Sequence, residues 1–366
     1  MISPLENRET YALSTLKLEN FRSYLALEID FADGFHVIHG PNAQGKTNLL
    51  EAVHFLSTTR LLRGTKDSDA ISHGSHSAKL EGEVGRTSLS IELETGVRKR
   101  AKINGLGLPR AADLIGRLPC VCVSSLDMAI VSGDPAERRL FLDLELSQAF
   151  PAYLRHLTLY KRALEQRNAL LKVANDSFVD PESFEVWEVQ LGEHGEALRE
   201  FRRTFTLDLQ NIAAGVQADL GDGEHLALTY APKDESDLVT AYAQSRHHDI
   251  MRKTTTIGPH RDDLQIAVAG TEARYFGSQG QQRSCVISLK MATLQLHATR
   301  LGKAPLLLLD DILSDLDAER RTRLSACVVQ NAGQVILTCT EKHLISKDIL
   351  DKASLFRVQC GTVIKE

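Results

Sequence analysis

The residue types with the clearest chemistry lie in the segment GPNAQGKT, from Gly40 to Thr47. It follows an apolar strand pattern, FHVIH, and precedes a helix pattern, which is the context that a phosphate-binding loop requires. The backbone N–H groups that would point at a β-phosphate belong to Asn42, Ala43, Gln44, Gly45, Lys46 and Thr47. The Lys46 ammonium would neutralise β- and γ-phosphate oxygens, and the Thr47 hydroxyl would bind Mg²⁺. The segment predicts a nucleotide site.

A second segment, PLLLLDDILSDLD at 305–317, places two aspartates after four leucines. The leucines are typical of a fully buried parallel strand, and a carboxylate at the end of such a strand lies beside the loop that follows the neighbouring strand. We predict that Asp310 is the metal-side carboxylate and that Asp311 orients or polarises the attacking water. The alternative is that both acids only cap the next turn.

A third segment, SQGQQRS at 278–284, precedes an apolar helix pattern. Exposed N–H groups and a serine hydroxyl at the positive end of a helix form an anion site. Ser278 and Gly280 therefore predict a second phosphate-binding helix end besides the one at Lys46. One γ-phosphate could lie between two such ends contributed by two molecules.

These segments occur in the order of the Walker A, signature, Walker B and D-loop motifs of an ABC-type ATPase. Together with LENFRSY (18–24), SGDPAERRLFLD (132–143) and TTIGPHRDDL (255–264), the chain resembles the RecF family of SMC-like ATPases. The resemblance extends from about residue 13 to about residue 360. The last three motifs separate this family from its SMC-like relatives.

The resemblance implies roles for individual residues. Asp310 matches the Walker B aspartate, and Asp311 lies where many relatives have a catalytic glutamate. Ser278 and Gly280 match signature residues that approach the γ-phosphate of ATP on a partner subunit. Arg22 resembles an arginine that reaches back to the bound phosphates, the alternative being a surface arginine. The ATP-binding residues implied in this way are Gly40, Asn42, Ala43, Gln44, Gly45, Lys46, Thr47, Asn48, Arg22, Ser278, Gly280 and Gln281, with Lys46, Asp310 and Asp311 catalytic and Thr47 and Asp310 on Mg²⁺.

The resemblance also implies a biological role. It predicts a weak, DNA-dependent ATPase that forms an ATP-dependent homodimer on double-stranded DNA and on ssDNA–dsDNA junctions. It further implies partnership with RecR and RecO in loading RecA at single-strand gaps, release on hydrolysis, and a nucleoid-associated cytoplasmic location. Other interpretations are the ATPase subunit of a transporter or of an SMC-like complex, a P-loop kinase, and a scaffold that binds ATP structurally.

Two departures from the ABC pattern bear on hydrolysis. The stretch LPCVCVSSLDMAIVSG lacks the glutamine that enters the helical lobe in ABC ATPases. In place of a switch histidine, VILTCTEKH offers Thr338 and Thr340, with His343 three residues late. Slow hydrolysis or another γ-phosphate sensor is expected.

Other polar clusters allow simpler explanations. GPHRDD could suggest a metal site at His260, Asp262 and Asp263, although a strand start after a Gly-Pro turn is simpler. Arg139 and Asp143 have the i,i+4 spacing of a helical ion pair. DNA contact is expected from the basic stretches at 97–105, 59–66 and 246–253, each of which could equally be a solvated face.

The element pattern predicts an α/β fold, specifically an ABC/SMC-like ATPase head with a P-loop mixed sheet. Strand patterns dominate before Pro135 and after Gly221, and helix patterns lie between them. We predict an ATPase core from 1–134 and 225–366, and a helical insertion from 135–224 that forms a second, arm-like domain. The segment NDSFVDPES (175–183) is expected to be the turn between two long helices.

Composition sets wider limits. The chain has 366 residues and a net charge of −5, so any contact with nucleic acid depends on local clusters. No run of 18 apolar residues and no signal-like h-region occurs, so no membrane partner is expected. The six cysteines lack metal-ligand spacing and are typical of a reduced, cytoplasmic protein.

Overall fold

The computed structural model describes residues 9–64, 66–220 and 223–366. The strands are β1 (Leu13–Phe21), β2 (Tyr24–Asp30), β3 (Phe35–His39), β4 (Ser77–Val84), β5 (Thr87–Glu94), β6 (Arg100–Ile103), β7 (Leu106–Gly107), β8 (Cys120–Ser124), β9 (Leu226–Ala231), β10 (Asp263–Val268), β11 (Thr271–Glu272), β12 (Leu306–Asp310), β13 (Val335–Cys339), β14 (Ala353–Gln359) and β15 (Thr362–Lys365). The helices are α1 (Lys46–Thr58), α2 (Met128–Ser132), α3 (Pro135–Ala149), α4 (Pro151–Ala174), α5 (Pro181–Leu220), α6 (Leu238–Arg252), α7 (Ala273–Phe276), α8 (Gln279–Leu301), α9 (Ala318–Asn331) and α10 (Lys347–Leu350).

The chain divides into two compact units. The first contains residues 1–128, 215–223 and 286–366, and the second contains residues 129–214 and 224–285. The sequence predicted a core of 1–134 plus 225–366, so the main difference is that 224–285 groups with the helices. The assignment of these ranges to an ATPase core and an arm stays a prediction.

Two six-stranded sheets form the first unit. One has the order β15-β14-β3-β13-β12-β8, parallel except for the β14–β15 hairpin, and the other is the antiparallel sheet β2-β1-β4-β5-β6-β7. Helix α1 contacts strands of both sheets, and Leu49, Leu50, Val53 and Phe55 on it are fully buried. This helix needs apolar residues on several sides because it lies between two sheets. The mixed sheet agrees with the predicted P-loop core.

Parallel pairing brings the carboxyl ends of several strands to one edge of the mixed sheet. Asp310 pairs with Ser124 of β8 and with Thr338 of β13, and Cys339 pairs with His39 of β3. The loops that follow β3, β8, β12 and β13 therefore begin side by side. Ligand sites of α/β sheets form at this edge.

The second unit combines helices with a small sheet. Helices α4 and α5 are joined through 175–180, inside the turn predicted at 175–183. Strands β11, β10 and β9 form an antiparallel sheet beside them. Arginine–carboxylate pairs are buried in this unit, among them Arg167 with Asp249 and Arg199 with Asp262. Buried charges are tolerated when they are paired in this way.

Candidate nucleotide-binding site

The phosphate-binding loop owes its shape to two glycines. Gly40 has φ 147°, and a Cβ atom there would lie 2.4 Å from the Val358 carbonyl oxygen. Gly45 has φ 113°, and its Cβ would lie 2.9 Å from the Ser23 hydroxyl oxygen. Side chains are excluded at both positions by backbone conformation and by space. The loop can therefore run close to the start of α1 with its N–H groups unobstructed.

Neighbouring segments fix the loop from outside. The Tyr24 hydroxyl donates to the Gly45 carbonyl at 3.0 Å, and the Asn48 side chain donates to the Ser23 hydroxyl at 2.9 Å. The Gln44 side-chain oxygen accepts from the Cys360 N–H at 2.7 Å, at the turn between β14 and β15. Gln44 therefore anchors the loop, while Asn42, Ala43, Gly45, Lys46, Thr47 and Asn48 line the adjoining cavity.

Lys46 lies on the inner side of the loop. Its ammonium donates to the carbonyls of Gly40 at 2.7 Å and Pro41 at 2.8 Å. Burial lowers the pKa of Lys46, and the nearby Asp311 and Asp310 carboxylates oppose that effect. A partly desolvated ammonium interacts strongly with an incoming phosphate, because little water screens it.

Three side chains meet at Asp310, at the end of β12. One oxygen of Asp310, Oδ1, accepts from the Thr47 hydroxyl at 2.9 Å and from the Thr338 hydroxyl at 2.8 Å. Thr47 and Asp310, predicted as metal ligands, thus lie within hydrogen-bond distance of each other. Hydroxyl and carboxylate oxygens fit Mg²⁺, which binds proteins through one or two such ligands plus phosphates and water.

Asp311 differs from its neighbour in backbone and in solvation. Its φ of 52° is in the left-handed region, and its Oδ1 atom is buried without a hydrogen-bond partner in the described chain. Burial raises the pKa of its carboxyl group. Its N–H donates to the Thr338 hydroxyl at 3.0 Å, so Thr338 bridges both aspartates. A strained, desolvated carboxylate is typical of a functional position.

The cavity beside these groups has a volume of about 420 Å³. Besides the predicted residues, it is lined by Arg63, Ser125, Ser314, Asp315 and Thr338. Sequence reasoning left these five without a role in the site. Ser125 directly follows β8, in the stretch that lacks the glutamine of ABC ATPases, and Thr338 lies in β13, in the stretch that lacks the switch histidine. The positions of Ser125 and Thr338 at the ends of strands, and of Ser314 and Asp315 in the D-loop segment SDLD, were signals that could have found them.

Arg22 and Arg63 differ in whether they line the cavity. Arg22 forms two bonds to the buried Glu51 of α1, at 2.8 and 3.0 Å, and also donates to the carbonyls of Asp69 and Arg63. It does not line the cavity, whereas Arg63 does, with its guanidinium 3.7 Å from Asp310 Oδ2. The contact of Arg22 with phosphate stays a prediction.

The signature segment, in the second unit, begins α8 with a reciprocal cap. The Gln281 N–H donates to the Ser278 hydroxyl oxygen at 3.2 Å, and the Ser278 N–H donates to the Gln281 side-chain oxygen at 2.7 Å. The Gln281 side chain also donates to Glu224 at 2.6 Å. Ser278 thus accepts one bond and keeps its own O–H proton available, since no described group accepts it.

The polar residues of GPHRDD and of helix α3 form hydrogen bonds and ion pairs within the second unit. Asp262 accepts from Arg199, Tyr230 and the Lys233 N–H, and Asp263 pairs with Arg138. Across the described chain, no group of three or more His, Cys, Asp or Glu residues is placed to hold a metal ion. The segment GPHRDD ends at Asp263, the first residue of β10, and its aspartates form ion pairs, so the strand start that was its simpler explanation is confirmed. The predicted Arg139–Asp143 pair is wrong, because Arg202 and Lys161 occupy Asp143 instead.

The three basic stretches are partly neutralised. Lys99 pairs with Asp67, Lys102 pairs with Glu92, and Arg246 pairs with Glu188. Arg98 is exposed. Contact of these stretches with DNA stays a prediction. No helix in the described ranges is both long and apolar enough to cross a membrane.

Comparisons with known proteins agree with this geometry. A family model described as an AAA domain matches residues 15–172. "DNA replication and repair protein RecF" of Symbiobacterium thermophilum is 40% identical over 370 residues, covering 96% of this chain and 98% of that protein. The protein of the same name from Lactococcus lactis subsp. cremoris is 38% identical, with coverage of 97% and 99%.

Solved structures give the same result. The structure of the recombination mediator protein RecF-ATP in the RecFOR pathway is similar with a TM-score of 0.90 and 27% identity, and the match covers 100% of both chains. An Smc head domain from Pyrococcus furiosus, 17% identical with a TM-score of 0.57 over 97% and 96% of the two chains, shares the fold. These similarities confirm the predicted ABC/SMC-type ATPase head with a helical insertion. The chain belongs to the RecF family of DNA replication and repair proteins.

Proposed function

We propose that this protein is an ATP-controlled DNA-binding recombination mediator, in which ATP joins two copies of the chain on DNA. The observation that carries the proposal is the cluster of Thr47, Thr338 and Asp310 beside the phosphate-binding loop, with both hydroxyls within 2.9 Å of one carboxylate oxygen. Hydroxyl and carboxylate oxygens next to a phosphate-binding loop are the ligand types that Mg²⁺ takes together with nucleotide phosphates.

Binding rests on the loop and on Lys46. The N–H groups from Asn42 to Thr47 would receive the β-phosphate, and the Lys46 ammonium would exchange its two loop carbonyls for β- and γ-phosphate oxygens. Thr47 and Asp310 would hold Mg²⁺, which offsets phosphate charge when it is bound. The Arg63 guanidinium, 3.7 Å from Asp310, would add positive charge at the mouth of the cavity.

Hydrolysis would depend on Asp311. Its unpartnered oxygen can accept a hydrogen bond from water, and its raised pKa improves its ability to take up a proton. An aspartate reaches less far than the glutamate of many relatives, and the site lacks a histidine at Thr338. Both features favour weak, regulatory hydrolysis, and membership of the RecF family supports its dependence on DNA.

Dimer formation would use the other helix end. Ser278, held by its cap, presents a hydroxyl proton, and Gly280 leaves the first turn of α8 uncovered. We propose that this end binds the γ-phosphate of ATP held by a second copy. ATP would then be enclosed by Lys46 of one copy and Ser278 of the other, and hydrolysis would release the pair.

The nucleic-acid substrates would be double-stranded DNA and ssDNA–dsDNA junctions at gaps, contacted through phosphates by exposed basic residues such as Arg98. Membership of the RecF family supports partnership with RecO and RecR, and through them the loading of RecA, in a nucleoid-associated cytoplasmic setting. Binding through phosphates predicts a steep loss of affinity with salt and little preference for sequence.

Light scattering tests the proposal directly. The protein is measured with ATP, with ADP and without nucleotide, each in the presence and absence of gapped DNA. We expect the dimer mass only with ATP, and a larger dimer fraction when DNA is present. Equal masses in all three nucleotide conditions would remove ATP as the agent that joins the copies.

A further inference from the structure

Two motifs that the proposed function leaves without a role line one cavity in the second unit. Arg139 and Asp143 come from SGDPAERRLFLD, and Pro259 and His260 come from TTIGPHRDDL. Helices α4 and α5 complete the lining, and the volume is about 220 Å³. The two motifs are 116 residues apart between Asp143 and Pro259, yet they form one surface.

Arg139 has an unusual environment for an arginine of this unit. The other buried arginines each pair with a carboxylate at 2.7–2.8 Å, namely Arg138 with Asp263, Arg167 with Asp249, Arg199 with Asp262 and Arg202 with Asp143. Half-buried Arg139 donates to the Asp262 carbonyl at 2.9 Å and has no carboxylate within 4.0 Å in the described chain. A desolvated cation without a counter-ion costs stability unless an anion joins it.

The cavity has an excess of positive charge. Arg139, Lys161 and Arg202 contribute three cations, while the single carboxylate, Asp143, is shared by Arg202 at 2.8 Å and Lys161 at 3.4 Å. Burial and the neighbouring Arg202 lower the pKa of Arg139, in keeping with uncompensated charge. The arrangement is complementary to an anionic group.

His260 adds no charge to this balance. Its Nδ1 accepts from the Tyr160 hydroxyl at 2.6 Å, and its Nε2 donates to the Thr255 carbonyl at 3.0 Å. Burial lowers the pKa of His260 to about 4, so the ring is neutral at pH 7. The positive excess therefore belongs to the three basic side chains at neutral pH.

The rest of the lining is apolar and limits the type of anion. Leu140, Leu157, Leu164 and Leu198 lie around the cavity together with Pro259. A phosphodiester has no group that gains from leucine contacts, and 220 Å³ is below the ~300 Å³ at which pockets for drug-sized ligands begin. One large apolar side chain with a neighbouring carboxylate satisfies both the leucines and Arg139.

We propose that this cavity, which we name the Arg139 cavity, is a docking site for an acidic peptide segment of a partner protein. An apolar side chain of the segment enters between the leucines, and an adjacent carboxylate pairs with Arg139. A buried anchor combined with a charge-assisted bidentate bond is an efficient way to bind a short segment.

The test uses the full chain and fluorescently labelled, acetylated hexapeptides in which one phenylalanine or leucine is flanked by aspartates. Fluorescence anisotropy measures their binding. Substituting asparagine for the aspartates, or alanine for the apolar residue, should each weaken binding at least about 10-fold. If no acidic peptide of the set binds, the proposal is overturned.

Arg139→Gln should weaken peptide binding at least about 10-fold, and Arg139→Lys should restore part of it. The matched control is Arg203→Gln, on α5, because Arg203 is exposed, pairs with Glu200 and does not line the cavity. Equal peptide affinity of Arg139→Gln and the wild type would overturn the proposal.

Lys161→Gln is a second variant, for the case in which the Arg139 variant misfolds. The Lys161 side chain is 58% exposed, so its substitution should leave the fold intact. We expect it to weaken peptide binding about 3-fold with an unchanged melting temperature. Duplex DNA is measured in parallel. If Arg139→Gln and Lys161→Gln both lost DNA affinity and no peptide bound to the wild type, the cavity would be a site for DNA phosphate. The proposal of a peptide site would then be overturned.

Discussion

The two helix ends that the sequence pairs as phosphate sites are built differently. Helix α1 begins after Gly45, which has φ 113° and provides no side-chain cap, so its first N–H groups have no partner from a cap. Helix α8 begins with Ser278 and Gln281 capping each other's N–H groups. An uncapped end gains more stability from an anion than the α8 end does, because Ser278 already accepts the Gln281 N–H there. From this difference we predict that α1 binds ATP first and that α8 adds a weaker contact afterwards.

The largest effect is expected from Lys46→Met, which tests whether the α1 end is the main ATP-binding end. The ammonium lies beside the uncapped end of α1, and losing its interaction with phosphate should cost about 4 kcal/mol, or roughly 1000-fold in ATP affinity. ATP-dependent DNA binding should disappear as well. Calorimetric titration with ATP measures the effect, and Lys352→Met, at an exposed position, is the control. Unchanged DNA binding in the presence of ATP would contradict the clamp.

The ion pair between Arg22 and Glu51 is predicted to stabilise the fold around α1. The Glu51 side chain is 1% exposed, so Arg22→Gln leaves a buried charge poorly compensated and should lower the free energy of unfolding by roughly 3 kcal/mol. Arg63→Gln is the matched control, because that side chain is 52% exposed and should change stability by less than about 0.5 kcal/mol. Urea unfolding compares the two. If Arg22→Gln kept full stability but lost ATP affinity, Arg22 would be a phosphate ligand.

The capped end is tested with Ser278→Arg. A long cation there blocks the approach of a second copy but leaves the ATP cavity of the same copy unchanged. We expect ATP affinity within about 3-fold of the wild type and an ATP-dependent dimer weakened at least about 30-fold. Sedimentation with ATP measures the dimer, with Ser236→Arg, at an exposed position of the same unit, as the control. Loss of nucleotide binding by the monomer would contradict a contact made between copies.

The next prediction concerns the role of the Thr338 hydroxyl in hydrolysis at the α1 end. Thr338→Val removes the hydroxyl that joins Asp310 to the backbone of Asp311 while preserving its shape. Because the hydroxyl orients a metal-side carboxylate, hydrolysis should fall roughly 10-fold while ATP affinity changes little. Thr340→Val, two residues further and outside the cavity lining, serves as the control. Equal rates for the two variants would leave Thr338 without a part in hydrolysis.

The sequence predicted those parts of the site that depend on local patterns. A strand, a glycine-bounded loop and a helix place Lys46 and Thr47, and four buried leucines place Asp310 at the end of a strand. The α8 cap also follows a local pattern, a serine followed three residues later by a glutamine, although the sequence analysis assigned Ser278 only to a phosphate site. In each case the position follows from neighbours in the chain.

The parts that escaped prediction depend on competition between distant residues. The guanidinium of Arg22 binds Glu51, 29 residues away, a pairing that the sequence did not predict, while its contact with phosphate stays a prediction. Asp143 was expected to pair with Arg139, but it pairs with Arg202, 59 residues away, instead. Residue spacing on one helix cannot show which of several arginines forms an ion pair with a given carboxylate, because the pairing depends on how the helices pack.

The smallest effect concerns Asp311, which lies with Lys46 and Asp310 around the same cavity. Burial raises its folded-state pKa above the ordinary 3.8, so the folded protein keeps a proton where the unfolded chain has lost it. Stability therefore falls as pH rises through that window and stays lower above it. Asp311→Asn cannot ionise and tolerates the left-handed backbone, so it should melt up to about 2 °C higher than the wild type at pH 7. The gain should shrink as the pH falls through the raised pKa towards 3.8, and it should be absent at lower pH.

Thermal unfolding followed by circular dichroism between pH 3 and pH 8 measures this difference. Asp317→Asn is the control of opposite sign, because Asp317 caps α9, accepts from the Arg320 N–H and has a lowered pKa. Its contribution is present at neutral pH and fades as the pH falls, so this variant should be less stable only at higher pH. A melting difference for Asp311→Asn that is independent of pH would mean that its carboxyl is not destabilised in the fold.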